Sequence, residues 1–346
     1  MRAGFSIVVV VLLSFSQGHS QVQEVKFSQF FNFPLYLNPA ATGNFAQDYR
    51  VAGIYRQQWN SINAEFTTFG ISGDMKFSRG LMPGDFWGVG IYAVDDHLGD
   101  NLMQHQKVGL SLAYHHPLDF HGRHLISIGG VFSYAFSAVN IEKLLFESQF
   151  DGFMPDIQAP NGESFSSDNA ANYDAGGGVS YKFFINRKWQ TSVSVSALNL
   201  IAPQENFLLD SASARALNRG VVSGWVRYKL NDRVSLVPRW LINNQRNNTE
   251  VSSGVVTEYL VSPQKQVQLN IGVLGQWKEY VTFYAGAGIK NLEIHASYDL
   301  SIAGLTNIAS VQEGASGKPG VFEISLVYRG NKRKSTASYI VPCRIF

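Results

Sequence analysis

The sequence predicts an all-β chain closed into a transmembrane antiparallel β-barrel of about fourteen strands, with short periplasmic turns and longer extracellular loops. Three observations predict it. Apolar and polar residues alternate with a period of two along most of the chain. No apolar run after Leu13 is long enough for a membrane-spanning helix. The connections between alternating stretches also sort by length into two interleaved sets. Composition agrees: the 346 residues are 45% hydrophobic and 13% aromatic but only 16% charged, where a soluble globular chain carries roughly a quarter charged residues. The mean hydropathy of -0.05 is what a strict alternation of the two classes averages to.

In chain order, Arg2 followed by the apolar run Ile7 to Leu13 reads as a cleavable signal peptide over residues 1–20. Gly18 and Ser20 put small residues ahead of a cut near Ser20, so the mature chain is expected to begin at Gln21. No cysteine lies near that site, which excludes lipid attachment there. Residues 21–49 precede the first strand signal and concentrate Phe27, Phe30, Phe31, Phe33, Leu35, Tyr36 and Leu37. Pro34 and Pro39 disfavour both a ladder and a helix interior. Leaving such side chains in water costs roughly 1.5–3 kcal/mol each. Burial as a plug in the barrel lumen and burial against a periplasmic partner are the two ways out.

The barrel is expected over residues 50–330, followed by a cationic, periplasmic tail at 331–346 that contains Lys332, Arg333 and Lys334. Strands are predicted at 50–59, 64–77, 86–97, 103–117, 123–138, 173–185 and 188–199. The others are predicted at 218–230, 232–243, 252–260, 266–276, 280–289, 292–302 and 321–329. Alternation is clearest where Leu292, Ile294, Ala296, Tyr298 and Leu300 interleave with Glu293, His295, Ser297 and Asp299. This register aims the first set at lipid and the second at the lumen. From a periplasmic N-terminus the even connections, 78–85, 118–122, 186–187, 231, 261–265 and 290–291, are all short. The odd ones at 139–172, 200–217, 244–251 and 303–320 are long, and 278–279 is the exception.

With 28 basic and 26 acidic side chains, a net charge of +2 gives no field for nucleic acid, and a single cysteine, Cys343, excludes an internal disulfide. No Gly-x-Ser-x-Gly elbow occurs, and the run Gly176-Gly177-Gly178 lies inside a strand rather than before a helix. Neither a catalytic residue nor a cofactor site is therefore expected. His115, His116, His121 and His124 could ligate zinc or copper, but at strand ends they read more simply as structural. Asp151, Asp156, Glu163 and Asp168 have no calcium-loop spacing and read as a solvated loop. Trp59, Trp87, Trp189, Trp225, Trp240 and Trp277 suit interfacial girdles. Arg56 is open to two readings, a lumen charge or part of a plug-binding surface.

The segment Phe27-Ser28-Gln29-Phe30, then Leu37-Asn38-Pro39-Ala40 with Gly43, then Tyr55-Arg56-Gln57-Gln58-Trp59, resembles the PorP/SprF family of Bacteroidetes type IX secretion proteins. Asp96-His97-Leu98-Gly99, Ala113-Tyr114-His115, Phe322-Glu323-Ile324-Ser325 with Tyr328-Arg329, and Pro342-Cys343 extend the resemblance over nearly the whole mature chain. It implies a non-enzymatic, integral outer-membrane component of type IX secretion. Such a component binds or retains exported proteins at the cell surface, adhesin-like ones used in gliding among them. The implied partners are an exported protein with a type IX C-terminal domain, other secretion components and outer-membrane lipid. The motif positions Asn38, Pro39, Ala40, Gly43, Tyr55, Arg56, Gln58, Trp59, Asp96 and Gly99 become candidate partner contacts. The competing functional classes are a porin or solute transporter, whose channel the inward polar residues could line, and an outer-membrane hydrolase.

Overall fold

The computed structural model describes residues 24–58, 66–77, 81–82, 84–99, 102–144, 147–149, 167–201, 204–205, 214–215, 218–245, 248–302 and 320–331. Among these, fourteen antiparallel strands close into one barrel. They are β1 (Tyr49–Gln58), β2 (Phe66–Phe77), β3 (Phe86–Leu98), β4 (Met103–Pro117), β5 (His124–Val139), β6 (Asn169–Phe184) and β7 (Trp189–Leu198). After a separate two-residue pair, β8 (Gln204–Glu205) with β9 (Ala214–Arg215), the barrel resumes with β10 (Arg219–Lys229), β11 (Val234–Gln245), β12 (Asn248–Ser262) and β13 (Val267–Gln276). β14 (Tyr280–Ile289), β15 (Leu292–Ser301) and β16 (Gly320–Gly330) complete it. Each strand pairs with the next, and β16 returns to β1, Arg56 lying opposite Glu323. Closure leaves no unpaired sheet edge, the condition for a β-structure in lipid. No helix among the described residues is long and apolar enough to cross a membrane.

The alternation read from the sequence sets the two faces. On β15, Ile294 is 47% exposed on the outer wall while its neighbour His295 is 2% exposed on the inner one. Ser297 and Asp299 follow His295 inward, and Leu292, Tyr298 and Leu300 follow Ile294 outward. The outer wall is an apolar band bearing Leu110, Phe132, Val195, Ile271 and Phe283. Near the end of the barrel where the short turns lie, aromatic pairs ring it: Trp87 with Tyr114 at 4.7 Å between centroids, Trp189 with Tyr228 at 4.2 Å and Tyr49 with Tyr328 at 6.0 Å. Amphipathic rings favour the boundary between hydrocarbon and headgroups.

Two expectations change. The connection expected at 244–251 is reduced to residues 246 and 247, because β11 and β12 run on beyond the apolar band. There both faces meet water or lumen, so Asn244 can donate to Thr249 at 2.6 Å and Asn243 to Glu250 at 3.4 Å without any apolar alternation to announce a strand. Trp225 is not a girdle residue. It pairs with Arg239 on the lumen-facing side, while Trp240 lies opposite Gly224 on the outer side.

Candidate functional site

The inward-facing side chains do not line an empty channel. Residues 24–48 lie against them, folded as three single 3-10 turns, Phe30–Asn32, Pro34–Tyr36 and Pro39–Ala41. Proline opens the second and third turns, where the missing N–H has no partner to lose. The apolar side chains have gone where they are covered. Phe33 and Leu35 are 1% exposed, and Phe27 meets Phe33 edge-on at 5.5 Å. Tyr36 meets Tyr92 of β3 edge-on at 5.7 Å. Phe31 sits between Tyr284 of β14 and the guanidinium of Arg239, which lies 4.2 Å above its ring.

Of the polar contacts that fix the segment to the wall, those at four places are buried and centred on a charge or a motif residue. The buried carboxylate of Glu323 accepts from the backbone N–H groups of Ser28 at 2.8 Å and Gln29 at 2.9 Å, and also pairs with Arg56. Arg56 is thus both a lumen charge and part of the surface that receives the segment. Glu24 is held by Lys107 at 2.7 Å, by Asn199 at 3.0 Å and by the Tyr36 hydroxyl, with Arg219 at 4.0 Å. Burial raises the Glu24 carboxyl, but Lys107 and then Arg219 outweigh it and hold the group well below the usual carboxylate range. Burial, reinforced by the Glu24 charge, pushes the Tyr36 phenol well above its ordinary value.

The other two places are the motif positions themselves. Asn38 caps the Pro39–Ala41 turn by accepting from Ala40 N–H at 2.8 Å, and its amide donates to Val179 O at 3.3 Å and Val195 O at 3.2 Å. The turn fits only because Gly129 and Gly178 have no side chains: a Cβ on Gly129 would stand 2.5 Å from the Pro39 carbonyl carbon, and one on Gly178 would collide with the Asn38 amide. Gly43 has φ +73, a left-handed conformation that favours glycine, and donates to Asp74 at 2.7 Å. The same Asp74 takes Arg50 through two parallel bonds of 2.9 and 2.8 Å.

Of the sequence-derived candidates, Asn38, Pro39, Ala40, Gly43 and Arg56 therefore converge on the lumen. Gln58 and Asp96 are on the inner wall too, Gln58 accepting from Arg56 at 3.0 Å and Asp96 from Thr68 at 2.5 Å. Tyr55 is on the outer wall and Gly99 is in the β3–β4 turn with φ +56, so these two belong to no common surface with the rest. Trp59 lies outside the described residues, as do Asp151, Asp156 and Glu163. His115, His116 and His124 have separate partners. His115 meets Ser127 at 2.7 Å and donates to Thr42 O at 2.8 Å, His116 meets Asp85 at 2.7 Å, and His124 meets Tyr181 at 2.6 Å. Sequence reasoning missed Glu24, Lys107, Arg219 and Glu323 as anchors. Their signal was a charge within a strand, as at Lys107 and Glu323, at a strand's first residue, as at Arg219, or just ahead of the barrel, as at Glu24, where lipid on one side leaves only the lumen to receive it.

A closed fourteen-stranded barrel with an aromatic ring, an apolar outer wall and a charged inner one is an outer-membrane β-barrel protein. The model of the type IX secretion system membrane protein PorP/SprF family matches residues 19–328, and the chain belongs to that family. Among solved structures, the chain is similar in fold to the Ralstonia pickettii toluene transporter TbuX, with a TM-score of 0.52 and 10% identity over 87% of this chain and 94% of that one. It is also similar to a Pseudomonas aeruginosa FadL homologue, with a TM-score of 0.51 and 13% identity over 84% of this chain and 92% of that one. At such identities the likeness is one of fold. No curated protein matches the sequence significantly.

Proposed function

We propose that this barrel binds or retains exported proteins carrying a type IX C-terminal domain at the cell surface, acting with other secretion components rather than as a conduit or an enzyme. The observation that carries the reading is the filled lumen. Residues 24–48 act as a plug, and a barrel whose axis is occupied by its own chain, pinned through Glu323, Glu24, Asn38 and Asp74, offers solute no ready path. What is left to work with is the rim, where the connections 140–168, 199–218 and 302–319 are the longest in the chain. Family membership supports the same direction.

The experiment removes this chain from its own cells and follows proteins with type IX C-terminal domains by surface labelling. Loss of those proteins from the surface, with unrelated outer-membrane barrels unchanged and recovery when the chain is restored, is the expected result. Undisturbed surface display would sink the reading. Single-channel recording of the purified barrel separates it from a porin: the intact chain is expected to be closed, and a steady open conductance would favour solute transport.

A further inference from the structure

The segment leaves space beside it in the lumen. A cavity of about 190 Å3 lies beneath Phe31 and Asn44, against the inner faces of β6, β7, β10 and β11. Its charges do not balance. Arg50 at its edge is neutralised by Asp74. Glu258 is the one carboxylate shared by Arg227 at 2.7 Å and Arg239 at 3.9 Å, so it cancels only one of them. Lys182 donates to Asn44 Oδ1 at 2.6 Å and to Asn44 O at 3.5 Å, both neutral, and has no carboxylate within 4.0 Å among the described residues.

Two positive charges are therefore in excess around one cavity, in a wall where burying an unpaired charge is costly. Donors are in excess too. The Ser180 hydroxyl is buried with no hydrogen-bond partner among the described residues, and so is Nε of Arg239. Both residues line the cavity, and Arg239 is 17% exposed, so its guanidinium remains reachable by solvent.

We propose that this cavity is a binding site for a phosphoryl group, taken between Lys182 and Arg239 with Ser180 as a neutral donor. The pattern of two separate cations and an uncommitted hydroxyl offers more donors from more directions than a planar carboxylate uses, and suits a tetrahedral oxyanion with its several acceptor oxygens. A cavity needs only about 10–15 Å3 to hold one water, so a space of about 190 Å3 exceeds what a bare phosphate fills. Trp225, the neighbour of Arg239 on the adjacent strand, gives the remainder of a phosphorylated molecule an aromatic surface to lie on. The phosphoryl group belongs either to free phosphate or to the headgroup of a lipid reaching into the mouth of the barrel.

The test uses the full chain purified in uncharged detergent. Inorganic phosphate is titrated calorimetrically into wild type, Lys182→Gln, Arg239→Gln and Ser180→Ala. In parallel, the same proteins are mixed with micelles containing phosphatidylglycerol or, as a control, phosphatidylcholine. Removing a charged donor is expected to weaken binding about tenfold or more and removing the hydroxyl a few-fold.

Saturable phosphate binding that follows this order supports the site with free phosphate as its source. Binding of phosphatidylglycerol alone in the same order supports it with a lipid headgroup as its source. The Ser180→Ala protein keeps every charge and so reads the site even if a glutamine variant does not fold. No saturable binding of either probe by wild type, or equal affinities in wild type and all folded variants, overturns the proposal.

Discussion

At the scale of single residues, Glu323 decides how the N-terminal segment sits. Its carboxylate meets two backbone N–H groups and Arg56 while 0% exposed, and Arg56 has Asp299, at 3.8 Å, as a second acid. Glu323→Ala leaves a buried guanidinium and two amides short of acceptors, and breaking one side of such a pair costs about 3–5 kcal/mol. Thermal unfolding in micelles should show that loss, with Glu323→Gln milder because the amide still accepts; equal stability of Glu323→Ala and wild type would refute the anchor. Glu24 adds a pH dependence. Its folded pKa lies below the ordinary value of 4.5, so the stability it contributes is fully present above that value and drains away as pH falls toward the folded one. The stability gap between wild type and Glu24→Gln should be level near neutrality and shrink by up to about 1.4 kcal/mol per pH unit below 4.5. A gap that stays constant down to pH 3 would mean that the carboxylate is not what Lys107 holds.

At the scale of elements, the strands were legible because a wall between lipid and lumen enforces alternation on every residue that crosses the band. That is why β3, β4, β13 and β14 end within a residue or two of where period two places them. The pattern fails where the constraint lapses. β11, β12 and β6 run on past the band through Asn243, Asn244, Thr249 and Asn169, which are polar on both faces. Trp225 was misjudged for a related reason, since a large aromatic suits either a headgroup boundary or a lumen wall and only register tells them apart. The motif Asn38-Pro39-Ala40-Gly43 could be located but not interpreted, because its meaning lies in the absent side chains of Gly129 and Gly178, far away in sequence. Register itself is testable. Ile271→Arg, on the outer wall at mid-strand, should cost about 2–4 kcal/mol, whereas Ser235→Arg, inward and opposite Glu258, should stay within about 0.5 kcal/mol of wild type. Equal losses in the two variants, read by urea unfolding in micelles, would remove the assignment of faces.

At the scale of the whole molecule, a fourteen-stranded wall and the segment inside it are separable in principle, because they are held by different forces. The wall is a closed ladder of backbone hydrogen bonds from β1 round to β16, and none of those bonds involves residues 27–43. The segment is held by side chains, chiefly Glu323, Asn38, Asp74 and the aromatic cluster around Phe33. Deleting residues 27–43 should therefore leave the strands paired. Arg56, Glu323, Arg50 and Asp74 would then face water, which solvates them, instead of a protein interior that must pair them. With the lumen emptied, polar side chains such as Ser297, Ser325 and Asn270 line a hydrated path from end to end. The expected outcome is a closed wild-type barrel and a deleted form that conducts in planar bilayers, both keeping the circular dichroism of a β-barrel. A deleted form that keeps this spectrum and stays closed would show that something other than residues 27–43 seals the axis. If that form also loses surface retention of exported proteins, the aromatic segment serves a partner rather than the lumen.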